Sequence, residues 1–367
     1  MDQDRLSFLA LHFVPGVGDF LIRQLISYCG SAEEVFRQTR ARLLRIPGVG
    51  EITTESIRQG TPFRQAEEAA KRAEAAGIQL LFYTDPAFPD RLKSIADAPT
   101  LLYVQGHMNL NVPRTVGIVG TRKSTPYGRK CVEAIVEEMV SLQPVIISGL
   151  AYGIDIHAHR QALKHNLPTV GILGSGLDNI YPAVHLETAR KMTDSGALIT
   201  ENHFGTKPDA HNFPERNRII AGMCDAVIVV EAAERGGALI TAEIANSYNK
   251  DVFAVPGNID STYSAGCNKL IKINKAHLLT TAKDLEYIMN WGTQPATPPS
   301  QLTLSLDSLE PAEQTIIRVL RERKDPVPID ELCVLSGFTQ GFLASHLLSL
   351  EFKNLVVSLP GKRYQER

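Results

Sequence analysis

No stretch of this 367-residue sequence approaches the run of about 18 apolar residues that a membrane-spanning helix needs, so no span is expected. No excess of one charge is present either. The 38 basic and 40 acidic residues leave a formal net charge of -2, so any polyanion site must be a local patch. Cysteine pairs are missing: Cys29, Cys131, Cys224, Cys267 and Cys333 lie far apart and none forms C-x-x-C. That argues against zinc and against a redox pair, and fits reduced thiols in a cytosol. The first residues (Asp2, Asp4, Arg5, then a short apolar run) lack a basic leader and a cleavage site, so a cytoplasmic location is expected. No Walker lysine motif appears, and Gly117-x-x-Gly120 is not the dinucleotide fingerprint G-x-G-x-x-G. No acidic residue ends the next strand to take a ribose, so no bound NAD or nucleoside triphosphate, and no other cofactor, is expected. Asp155, His157 and His159 stand two apart and would point to different faces of a helix, so they do not suggest a metal site. No Ser-His-Asp set or carboxylate pair stands out by spacing, and no catalytic residue is assigned.

What is present is a series of short apolar runs bounded by glycine loops. Ile78–Tyr83 and Leu101–Val104 read as strands. A strand–loop–helix series follows through Val116–Val119, Val145–Ile147, Thr169–Leu173, Ala197–Thr200, Ala226–Val230 and Val252–Val255. Short apolar runs rich in β-branched residues and bounded by glycine suit strands buried on both faces, and their alternation with helices builds a parallel, doubly wound sheet. The two earlier strands should extend one edge. The loops after the strands sit side by side at the carboxyl end of such a sheet and form its ligand crevice. Gly120, Thr121, Arg122 and Lys123 should therefore neighbour Ser148, Gly149 and Leu150. Gly174-Ser175-Gly176 and Glu231 through Gly237 follow other strands. Converging Gly/Ser/Thr loops offer backbone donors to an anion, usually phosphate. In His211–Met223, Pro214 suits a first helical turn, with Arg216, Asn217 and Arg218 near the N-terminal end and Phe213 just outside it. Guanidinium forks beside an aromatic ring suit single-stranded nucleic acid, with arginine on phosphate and the ring on a base. A buried staple role for Phe213, and ion pairing of the arginines with Glu201, Glu215 or Glu231, are the competing readings. At least one arginine is expected to be paired structurally.

Residues 1–62 carry Pro15-Gly16-Val17-Gly18 and Pro47-Gly48-Val49-Gly50 in repeated helical surroundings. This resembles helix-hairpin-helix or SAM-like modules, for which packing or protein docking is preferred here over DNA contact. Residues 63–292 form the sheet domain, and the Pro/Thr/Ser-rich 293–304 stretch reads as a linker. In 305–367, three helices and a hairpin predict a winged helix. Its third helix, Thr339–Leu350, carries no Arg or Lys, which argues against reading a major groove.

Taken together, these motifs resemble the DprA/Smf family of bacterial DNA-processing proteins. The matching stretches are TDPAFPDRLKSIADAPTLLYVQG, GIVGTRKSTPYG, SGLAYGIDIHAHRQAL, GILGSGLDNIYPAVH, FPERNRIIAGM, GGALITAEIA and FAVPGNIDSTYSAGCNKLI, in order across 81–275. The resemblance implies an extended Rossmann-like fold that binds single-stranded DNA without catalysis. It further implies homodimers and delivery of DNA to the RecA recombinase during natural transformation. Gly120–Arg122 would hold phosphates, Ser148-Gly149 would line the same pocket, and Phe213 with Arg216 to Arg218 would complete it. Two departures stand out: Gly236 where the family often has Ser, and Lys275 where Gly is usual, which questions the local turn. The rival readings are a nucleotide N-glycosidase, for which Glu243 is misplaced, and a duplex-binding regulator acting through the terminal modules.

Overall fold

The computed structural model describes residues 1–59, 61–292, 309–323, 326–353, 355–359 and 362–366. The chain divides into two compact units, Met1–Gly292 and Thr293–Arg367. The expected linker at 293–304 lies outside the described residues.

Among the described residues of the first unit, nine strands make one sheet: β1 (Gln79–Phe82), β2 (Leu101–Gly106), β3 (Thr115–Val119), β4 (Val145–Ser148), β5 (Thr169–Ile172), β6 (Ala197–Thr200), β7 (Ala226–Val229), β8 (Asp251–Ala254) and β9 (His277–Leu278). Their order is β1-β2-β6-β5-β4-β3-β7-β8-β9. Strands β3 to β9 pair in parallel, whereas β1 and β2 run antiparallel at one edge. The period-two alternation explains the double winding. Val145, Ile147, Val227 and Val229 feed the core on one face, and Val116, Ile118, Ile146 and Ile228 feed the other. The order reverses between β3 and β7, which makes their carboxyl ends the switch point where crevices open in such sheets.

The N-terminal helices carry both glycine turns as expected. Gly16 and Gly48 sit at φ +76° and +81°, a left-handed conformation that glycine takes without steric cost. Gly18 and Gly50 then cap the helices Asp19–Cys29 and Glu51–Arg58. Each of these helices opens on a carboxylate already engaged within the protein. Asp19 Oδ1 accepts the N–H and O–H of Thr100, both at 2.7 Å, and Glu51 meets Arg40 at 2.7 Å. The turns are therefore packing devices: Phe8, Leu9, Ile22 and Leu25 share a core with Phe82, Tyr103 and Leu198 of the sheet edge.

The seam beneath them is polar. Arg218 donates to Glu201 and to the Asp97 carbonyl, and lies 3.6 Å from Asp19. His12 Nε2 is 3.1 Å from Thr100 Oγ1. Burial outweighs Arg218 and pushes the Glu201 carboxyl up to about 7, while burial pushes the His12 imidazole down to about 4.

The second unit is a winged helix. Helices Pro311–Glu322, Ile329–Ser336 and Gln340–Phe352 enclose Ile316, Leu320, Leu332, Leu343, Leu347 and Leu350. The hairpin Val356–Leu359 and Arg363–Glu366 gains a further short strand, Val327–Pro328, that its sequence does not announce.

A raised carboxyl binds protons in the folded state that the unfolded chain has already released. Glu201 therefore subtracts stability as pH rises from the ordinary glutamate range to about 7, and His12 acts with the opposite sign over its own range. In urea titrations of wild type and Glu201→Gln, the stability difference should move in favour of the variant as pH rises through that window. A pH-independent difference would refute this account of the seam.

Candidate nucleic-acid interface

The loop that follows β3 is fixed from below by one carboxylate. Glu231, 2% exposed at the end of β7, accepts the backbone N–H of Thr125 at 2.9 Å and its hydroxyl at 2.5 Å. The Glu231 carbonyl accepts the N–H of Thr121 at 2.7 Å. Thr125 in turn caps the helix Pro126–Glu138. A methyl at Gly128 would lie 2.1 Å from the Glu231 carboxylate, so that helix reaches its place only with glycine there. Held in this way, Arg122 and Lys123 are exposed, and neither has an ion-pair partner among the described residues.

The loop after β4 approaches as expected: the N–H of Ile154 donates to the Thr121 carbonyl at 3.2 Å, beside Gly153 at φ +80°. Its donors, however, are used internally. Ser148 is fully buried and its hydroxyl donates to the Ile118 carbonyl at 2.5 Å. The N–H groups of Gly149 and Ala151 favour the ionised form of the Asp155 carboxyl. Leu150 is fully buried at φ +56°, with its carbonyl 2.8 Å from His185 Nδ1. Ser148 and Leu150 therefore support the crevice from behind, because their polar groups are already satisfied within the protein. The other two members of the Asp155-x-His157-x-His159 set point elsewhere: His157 reaches the Arg129 carbonyl at 3.1 Å and His159 the Thr169 hydroxyl at 2.7 Å. No metal-binding cluster occurs among the described residues.

The helix Asn212–Met223 closes the site. It begins one residue before Phe213, so the ring belongs to its first turn and not outside it. Arg216, 4% exposed, donates through Nη1 to the carbonyls of Gly149 (2.6 Å) and Ile172, and through Nε to Asn217 Oδ1 at 3.1 Å. Burial lowers its guanidinium to about 10, against Asp155, which raises it, so it keeps its charge at neutral pH. Arg218 points the other way, into the Glu201 seam, and is the structurally paired arginine that the sequence led us to expect. One helical residue is about 100° of rotation, so consecutive residues 216, 217 and 218 cannot gather on one side.

Gly120, Thr121, Arg122, Lys123, Phe213, Arg216 and Asn217 line one cleft of about 640 Å³. Asp155 and Thr241 join them, as do Arg235, Gly236 and Gly237 of the loop after β7, none of which the sequence assigned as a contact. They come together because β3 and β7 are neighbours, a fact that strand order supplies and local pattern does not. The Phe213 ring lies 5.1 Å from the Arg122 guanidinium and 5.8 Å from the Tyr181 ring. Glu243 lies outside this lining and pairs with Lys275 at 2.6 Å on the surface, which leaves the glycosidase reading without its carboxylate. The turn beside Lys275 is intact: Asn274 takes the left-handed position at φ +55°. Gly236, at φ 168°, is extended and has open space at Cβ, so its substitution for serine costs the turn nothing.

A doubly wound α/β sheet with a cationic, part-aromatic crevice at its switch point defines a Rossmann-like protein. Comparison with known proteins identifies the family. Residues 79–290 match the model of DNA recombination-mediator protein A, 295–362 the DprA winged helix domain, and 8–60 a SAM-like helix-hairpin-helix tandem. The chain belongs to the DprA/Smf family of DNA-processing proteins. It is 31% identical over 402 residues to Protein Smf of Synechocystis, covering 100% of both chains. It is 40% identical over 210 residues to DNA processing protein DprA of Bacillus subtilis, covering 57% of this chain and 70% of that one. The crystal structure of DprA from Streptococcus pneumoniae superposes with a TM-score of 0.67 at 30% identity, over 78% of this chain and 98% of that one. DNA processing protein A of Helicobacter pylori, a structure concerned with that protein's single-stranded DNA binding mode, gives 0.52 at 27% identity, over 58% and 96%.

Removing the clamp tests the loop architecture. Glu231→Ala leaves the Thr125 N–H and O–H without their acceptor and should cost about 2–3 kcal/mol in chemical denaturation. A loss within about 0.5 kcal/mol of zero would show that the loop is held by other means.

Proposed function

We propose that this protein binds single-stranded DNA in the switch-point cleft without catalysing a reaction on it, and delivers that DNA to the RecA recombinase. The observation that carries the reading is the set of exposed, unpaired cations Arg122, Lys123 and Arg235 around the half-buried Phe213 ring on one cleft wall. Cations track phosphates and a ring stacks a base, the combination expected for a flexible single strand. Gly120 and Thr121 bring backbone close to the phosphate path, and Gly149 with Arg216 forms the floor. The family relationship and the Helicobacter pylori protein's binding mode support the same ligand. Action as a homodimer, RecA as the recipient, a role in natural transformation and a cytoplasmic location rest on the family resemblance. No single helix among the described residues is long and apolar enough to cross a membrane.

Duplex binding through the terminal modules is disfavoured. The third helix of the winged unit, Gln340–Phe352, presents no Lys or Arg, and both N-terminal glycine turns lead into carboxylates. A protein-contact role for the winged unit fits its exposed Val334, Leu348 and Phe352 better.

Anisotropy titrations of a labelled oligonucleotide at two salt concentrations, with duplex competitor, test the site. Wild type should bind single strands selectively, and Arg122→Ala should weaken binding and reduce the log–log salt slope by about 0.7, one phosphate contact. Phe213→Ala should cost about 1–3 kcal/mol with the slope unchanged. Affinity that is absent, or equal in wild type and Arg122→Ala, would remove DNA from this cleft.

A further inference from the structure

Among the cleft-lining groups one has the wrong sign for an anion site. Asp155 lines the cavity beside Arg122, Lys123 and Arg216, and is 7% exposed. It has no ion-pair partner within 4.0 Å among the described residues. Burial raises its carboxyl, against the charge of Arg216, the N–H groups of Ala151 and Gly149 and the charge of Arg122, which favour the anion. On the proposed reading, a phosphate entering here meets a buried negative charge on the cleft wall.

Resting on the single-stranded DNA reading, we infer that Asp155 takes up a proton when an anion occupies the cleft, making DNA affinity rise as pH falls. The balance is simple: the ionised carboxylate binds one proton from solvent, no covalent bond to the ligand forms, and the resulting acid no longer opposes the phosphate. Burial already biases Asp155 toward the neutral acid, while Arg216, the two N–H groups and Arg122 pull toward the anion. An arriving phosphate engages those same cations and adds repulsion, so both changes favour the proton.

The surrounding groups leave Asp155 as the acceptor. Arg216 on the closing helix, Arg122 and Lys123 after β3 and Arg235 after β7 are cations that would strengthen anion binding. His159 is held neutral by burial, pushed down to about 3, and His185 is lowered by burial with Nδ1 on the Leu150 carbonyl. Glu231 is turned to Thr125 and is absent from the cleft lining. His211, at the mouth of the closing helix and 3.1 Å from Glu215, is the remaining titratable neighbour and serves as the control.

The test is calorimetric titration of the full chain with oligothymidylate in two buffers of different ionisation heat, between about pH 5 and 8. Wild type and His211→Gln should show net proton uptake on binding and an affinity gain approaching tenfold per pH unit. Asp155→Asn should bind with no uptake from this group and a correspondingly flat profile. Binding without buffer dependence in wild type, or uptake undiminished in Asp155→Asn, overturns the inference and leaves the DNA site standing. Absence of binding overturns both. If the asparagine disturbs the Gly149–Ala151 turn, the wild-type and His211→Gln buffer pairs decide: uptake lost in His211→Gln assigns the proton to the histidine and overturns the inference.

Discussion

The guanidinium of Arg216 is the pin through the carboxyl end of the sheet. From the closing helix it reaches the carbonyls at the ends of β4 and β5, and so joins three elements distant in sequence. A methyl on Gly149 would lie 2.4 Å from its Nη2, so the bridge exists only because that position lacks a side chain. Burying this charge is costly and is compensated by hydrogen bonds and by Asp155, an arrangement that tolerates loss of a partner poorly. The placement of Phe213, one turn earlier on the same helix, follows from it.

Much of the architecture was readable from residues. Short β-branched runs gave the buried strands because a strand covered on both faces has no polar alternation to obscure it. Direction at the edge was not readable: β1 and β2 have the same apolar character as the parallel strands, and only their pairing distinguishes them. The two-residue strands at His277–Leu278 and Val327–Pro328 are too short to carry a pattern.

The site divided along the same lines. Gly120 to Lys123 was legible because glycine, hydroxyl and cation lie together in one loop. The Ser148 hydroxyl goes to the Ile118 carbonyl because a hydroxyl at a strand end serves a neighbouring carbonyl as readily as a ligand, and sequence does not say which. Arg218 and Arg216 look alike on paper, and only helical rotation sends one to the Glu201 seam and the other to the cleft floor. The loop from Glu231 to Gly237 was visible in the pattern, but Arg235 and Gly237 were given no role, because β7 becomes the neighbour of β3 through a change in strand order more than a hundred residues along the chain.

The cleft stacks its cations at two depths, with Arg122, Lys123 and Arg235 at the rim and Arg216 in the floor. On the proposed reading the rim charges act across solvent and fade over a Debye length, so they would raise how often a polyanion arrives as well as hold its phosphates. The floor charge works in a low-dielectric setting where salt screens it little, so on the proposed reading it would add to how long a seated phosphate stays. Arrival would then draw on the rim alone and residence on both depths, so that raising ionic strength would slow the first more than it shortens the second.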